Sequence, residues 1–136
     1  MNLLAQNIAI LRRICPRRFT WRRSGFRLEA IRTRWTDDHR WAYAYRLFDG
    51  ETLLFAGDQF CTPGLVGQST GTTARMREFL ITQLLGFLSL QPGDTDDEYF
   101  ADYTPAQLAW VTGIRGQELA VLVSDREENR TRQVVW

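Results

Sequence analysis

The chain has no lysine, one histidine and two cysteines among its 136 residues. Without lysine, Schiff-base chemistry and the phosphate loop that ends in Gly-Lys-Ser/Thr lack their acting residue. The single histidine, His39, removes most general-base designs, and with Cys15 and Cys61 far apart in sequence no tetrahedral metal set can be assembled. Two thiols make no disulfide framework and fit two free cysteines in a reducing compartment. No apolar run approaches the roughly 18 residues of a membrane-spanning helix. These absences lead to the expectation of a cytoplasmic protein that is not an enzyme and takes no cofactor, metal or membrane.

What the chain does have is arginine, which supplies all 17 of its basic residues. Codon usage in a GC-rich genome is the simpler account of arginine replacing lysine, but it does not explain placement. Residues 1–46 hold 11 arginines against Glu29, Asp37 and Asp38, a net +8, and residues 47–136 hold 6 against 13 acids, a net −7. Such a division fits a polyanionic partner for the basic part, or two halves that neutralise each other within the fold. The acid-free stretch Met1–Leu28 also reads as an organelle transit peptide. At 44% hydrophobic and 24% charged residues, the composition is that of a globular domain, and one domain over residues 1–136 is expected.

Periodicity divides that domain. Leu4, Ile8, Leu11 and Cys15 recur at helical spacing, and Pro16 closes the segment. The pairs Arg12–Arg13, Arg17–Arg18 and Arg22–Arg23, followed by Arg27, keep a five-residue rhythm that matches neither helix nor strand. Residues 1–25 are therefore expected to form an Arg-rich helix and an irregular arm. Residues 26–60 read as antiparallel strands, with a bulge where the alternation changes phase after Ala30. Asp49–Gly50 reads as a two-residue hairpin turn, which would set Tyr45 opposite Leu54 and Tyr43 opposite Ala56. One hairpin face would carry Trp41, Tyr43, Tyr45, Leu47 and Leu54, the other Ala42, Ala44, Leu53 and Phe55.

Residues 61–72 form a Gly/Thr loop and residues 73–128 are mainly helical. Met76, Phe79, Leu80, Leu84, Phe87 and Leu88 would face the sheet, with Arg75, Glu78, Thr82 and Ser89 on the polar side. Thr95-x-x-Glu98 and Thr104-x-x-Gln107, the latter with Pro105, are helix-start signatures. Residues 129–136 are a tail, and residues 117–136 fit helix or strand. The expected class is α+β: an N-terminal helix, an antiparallel sheet of three to four strands around a central hairpin, a long helix on the sheet and short C-terminal helices.

Three motifs invite chemistry and each has a plainer reading. Gly64, Gly67 and Gly71 before the long helix could cradle an anion, but an ordinary loop with a Thr cap explains them as well. Asp94, Asp96, Asp97 and Glu98 lack the Gly and acid of a calcium loop at the sixth and twelfth positions, where Tyr99 and Pro105 stand, and suit helix starts. His39 beside Asp37 and Asp38, with Cys61 or a serine as nucleophile, would need a buried site, whereas Asp37–Asp38 reads as a turn.

The stretch LLGFLSLQPGDTDDEYFADYTPAQLAW, Leu84–Trp110, together with the hairpin before it, resembles small uncharacterised proteins that accompany plasmids and phages in GC-rich bacteria. The resemblance spans about the middle half of the chain. It implies a cytoplasmic accessory protein of a mobile element and carries no activity or site residues with it.

The feature with most chemistry joins arginines to aromatic rings, since guanidiniums neutralise phosphates while rings stack on unpaired bases. The candidate nucleic-acid or nucleoprotein contacts are Arg12, Arg13, Arg17, Arg18, Arg22, Arg23, Arg27, Arg32, Arg34, Trp21, Tyr43 and Tyr45. For Tyr43 and Tyr45 the core is the favoured reading, because aromatics at period two on a hairpin are more often core. The alternative is an inhibitor or adaptor that docks Asp94, Asp96, Asp97, Glu98 and Asp102 on a basic host protein.

Overall fold

A computed structural model describes residues 3–62, 72–89 and 103–134. The class is α+β. Helix α1 (Leu3–Ile14) leads into strands β1 (Arg18–Arg23), β2 (Phe26–Trp35), β3 (Trp41–Asp49) and β4 (Thr52–Cys61). Helices α2 (Thr73–Leu88), α3 (Pro105–Thr112) and α4 (Ile114–Val134) follow. The chain gathers into two compact units, Met1–Ile81 and Thr82–Trp136, with α2 contributing to both. They divide the charge as well: 13 arginines against 7 acids give the first +6, and 4 against 9 give the second −5.

In the first unit the four strands form one antiparallel meander in the order β1-β2-β3-β4. The irregular arm expected after α1 is in fact β1, an edge strand. Its turn is Ser24–Gly25, where both residues take positive φ (51° and 87°), the geometry that matches the twist of two paired strands. The β3–β4 turn sits one residue later than the Asp49–Gly50 reading, because Gly50, at φ 60°, takes the first turn position and Asp49 pairs with Thr52. Register shifts then carry Tyr45 opposite Gly57 and Tyr43 opposite Phe60. The shift passes through Leu54, so Phe55 joins Leu47 on the buried side and Leu53 turns outward, half exposed at 50%. On β2 the irregularity lies between Arg32 and Arg34, later than the phase change after Ala30.

Pairing divides the side chains between two faces. Phe19, Phe26, Leu28, Ala30, Tyr43, Leu47 and Phe55 share one face and are buried. Leu11, Ile14 and Cys15 at the end of α1 are buried with them, as are Met76 and Leu80 in the first half of α2. The sheet also finishes α1, whose last carbonyls have no partner within the helix. Trp41 Nε1 donates to Arg12 O (3.1 Å), Arg32 Nη1 to Cys15 O (3.0 Å) and the Tyr43 hydroxyl to Pro16 O. Arg32 thereby places a cation at the negative end of the helix dipole.

In α2, Thr72 is the cap, its Oγ1 accepting from Arg75 N (3.2 Å). Thr82 and Ser89, expected on the polar side, are buried, and Thr82 Oγ1 accepts a bond from Arg126 Nε (3.1 Å). Phe87, expected in the core stripe, is 37% exposed. The Thr104 capping box forms as read, with Gln107 N donating to Thr104 Oγ1 (3.1 Å) and Thr104 N to Gln107 Oε1 (2.9 Å). Helix α4 has 21 residues, longer than the short helices expected, and extends over most of the segment left open between helix and strand. At the α3–α4 corner a Cβ on Gly116 would lie 1.9 Å from Val111 O, so only glycine fits there. The Thr95-x-x-Glu98 signature and Gly64, Gly67 and Gly71 lie outside the described residues.

Candidate functional site

The second face of the sheet is the open one. Strand pairing arranges it in rows: Arg22, Arg27, Phe48 and Leu53 in the first, Thr20, Glu29, Arg46 and Ala56 in the second, Arg18, Ile31 and Ala44 in the third. None of these residues is buried, and Ile31 is 42% exposed. Rows lie about 7 Å apart and strands about 4.8 Å apart. Four arginines meet Glu29 as the one carboxylate within these rows. Asp58 and Gln59, bonded to each other (3.0 Å), stand exposed on β4 beside the third row.

Glu29 organises the centre. Its Oε2 accepts from Arg46 Nη2 (2.8 Å), and Arg27 Nε lies 3.4 Å from its Oε1. The Arg27 guanidinium covers the Phe48 ring at 4.3 Å and that of Arg46 lies 5.7 Å from the same ring. Phe48 and Glu29 together hold two guanidiniums in place, and Arg27 Nε remains a buried donor with no hydrogen-bond partner. Beside this cluster a groove of about 460 Å³ is lined by Arg18, Thr20, Glu29, Ala30, Ile31, Ala44, Tyr45 and Arg46.

The arginines named from sequence fall into three groups. Arg18, Arg22 and Arg27 reach the open face. Arg18 and Arg22 are exposed, and neither forms an ion pair among the described residues. Arg13, Arg17 and Arg23 are exposed elsewhere on the same unit, with Arg23 on the opposite face of β1, and Arg34 is exposed opposite Ala42, one row beyond Ala44. Arg12 and Arg32 are structural: Arg12 lies 5.2 Å over Trp35 and Arg32 4.0 Å over Trp41, while Trp35 and Trp41 meet edge-on at 5.1 Å.

The aromatic candidates are corrected by the same pairing. Tyr43 is completely buried, 5.2 Å from the Phe19 ring, and burial holds its hydroxyl far above the ordinary tyrosine range, so it offers no ring to a base. Trp21 lies on the buried side, opposite Leu28. Tyr45 is half-buried and covers Gly57, where a Cβ would come within 2.7 Å of its hydroxyl; burial, then Asp58, raise its pKa. Arg46, Glu29, Phe48, Ile31 and Thr20 were not among the candidates, and only the β2–β3 register joins them. Asp94, Asp96, Asp97, Glu98 and Asp102 lie outside the described residues.

Cys61, the nucleophile candidate, is a free, half-buried thiol at the end of β4, opposite Ala42. Burial pushes the Cys15 thiol up to about 12, against the opposing charge of Arg32, which keeps it protonated at neutral pH. His39 is exposed in the β2–β3 turn, and Asp38 there is tied to Thr36 and to Arg40 (3.0 Å), its carboxyl lowered by the Thr36 hydroxyl. Among the described residues no three His, Cys, Asp or Glu side chains converge on a metal position. The chain matches no protein-family model, no curated protein and no solved structure.

Proposed function

We propose that the protein binds nucleic acid, without catalysis, on the open face of its sheet. The observation that carries this reading is the placement of Arg18, Arg22, Arg27 and Arg46 on one uncovered face, interleaved with Ile31, Ala44, Phe48 and Leu53. A polyanion supplies the charge that Glu29 alone does not, and the apolar side chains between the guanidiniums suit the flat faces of bases. Two of the four guanidiniums are already held by Glu29 and Phe48, so little side-chain freedom is lost on binding. The role agrees with an accessory protein of a mobile element, as the resemblance of Leu84–Trp110 implies.

Fluorescence anisotropy with a labelled 12-nucleotide strand tests it. Four phosphate contacts predict that log affinity falls with log salt at a slope of about −3 for a single strand. The double substitution Arg18→Glu, Arg22→Glu should reduce affinity at least 100-fold at low salt while the melting temperature holds. Absence of binding at low salt, or binding that ignores the double substitution, would overturn the proposal.

A further inference from the structure

Resting on that reading, we infer that the groove beside Glu29 is a subsite for one unpaired base, and that Glu29 makes it prefer guanine. The groove, at about 460 Å³, is of the size that holds small ligands; Ile31 and Ala44 line it together with one carboxylate and with arginines from the strands on either side of β2. A base inside a duplex cannot place its ring there, so the ligand is a single strand.

The carboxylate decides the base. Glu29 Oε2 accepts one bond from Arg46, and Oε1 faces Arg27 Nε at 3.4 Å, so each oxygen keeps a lone pair for another donor. A carboxylate with two acceptors free matches adjacent N–H donors, which guanine presents on its Watson–Crick edge as N1–H and N2–H. Adenine and cytosine present one amino donor beside an acceptor, and thymine a single imide N–H between two acceptors. Those acceptors would meet Glu29 oxygen against oxygen or nitrogen, an unfavourable contact in a partly enclosed site. Arg46, fixed by Glu29, and Arg18, across the groove, are then placed to meet the phosphates on either side of the base. Thr20 adds a hydroxyl at the groove wall.

The test compares four labelled single strands: twelve thymidines, and the same strand with one central dG, dA or dC. The dG strand should bind about tenfold more tightly than the other three, the discrimination of one good bidentate pair. In Glu29→Gln that preference should shrink to within about twofold. A 12-base-pair duplex of the dG strand should lose the preference in the unsubstituted protein. If all four strands bind the unsubstituted protein equally, the subsite is refuted while nucleic-acid binding stands. If none binds, the functional proposal falls and the subsite with it. A dG preference that survives Glu29→Gln in a variant of unchanged melting temperature would remove Glu29 as its source.

Discussion

Arginine stands on both faces of the sheet and does different work on each. On the buried side, Arg32 closes the end of α1 through Cys15 O and stacks on Trp41, while Arg12, exposed on α1, stacks on Trp35. The Arg32 cation is bound up in the fold, its charge already answered by one carbonyl and a ring. On the open side, Arg18 and Arg22 contribute nothing that the described fold requires, whereas Arg27 and Arg46 are arranged by Glu29 without being neutralised as a pair. A count of arginines thus overstates the charge available to a partner, and the strand pairing tells which share is free.

Three measurements can break or sharpen this contrast. The largest effect should be alkaline. Cys15 has an ordinary pKa of 9.0 and is raised to about 12, with Tyr43 raised beside it. The folded state retains protons that the unfolded chain releases, so stability is intact below pH 9 and falls as pH climbs toward 12, by roughly 4 kcal/mol for the thiol alone. Urea unfolding at pH 8, 9.5 and 11 should show that fall, and Cys15→Ala should flatten part of it. A flat profile would mean that the buried face is not sealed around these groups.

Arg32→Met comes next. Loss of a charged bond to a carbonyl and of the cation at the helix end should cost about 2 kcal/mol, read as a lower melting temperature. The smallest effect on stability belongs to Arg18→Gln with Arg22→Gln, expected within about 0.5 kcal/mol of the unsubstituted protein. The same pair should reduce the salt slope of single-strand binding by about 1.4. If the open-face pair destabilised the protein as much as Arg32→Met, the distinction between structural and available arginines would be lost.

The parts of this arrangement that a sequence reveals are those carried by neighbours in the chain. Helix α1, the Thr104–Gln107 capping box and the hairpin around Gly50 rest on local periodicity and turn chemistry, and all three form. Strand β1 is obscured in the sequence because its arginines fall in pairs five residues apart. In a strand, one member of each pair matters: Arg18 and Arg22 are four apart, an even spacing, and so share a face. The Ser24–Gly25 turn was the signal that could have exposed β1. The centre of the site was out of reach, since Glu29 meets Arg46 only through pairing between β2 and β3, and Phe55 meets Leu47 only through a register shift. Neither has a local signature. Tyr43 and Tyr45 are separable only by burial, which closes over Tyr43 through Phe19 and the carbonyl of Pro16.

Strand β1 is also a margin of the sheet, with β2 on one side and, among the described residues, no strand on the other. An unpaired row of backbone donors and acceptors is a template on which a second chain can add, and charge along that row is the usual defence. Arg18, Arg22 and Arg23 occupy half of its six positions. Removing them would therefore uncover a surface for polymerisation, so that Arg18 and Arg22, proposed above to contact nucleic acid, also guard this edge.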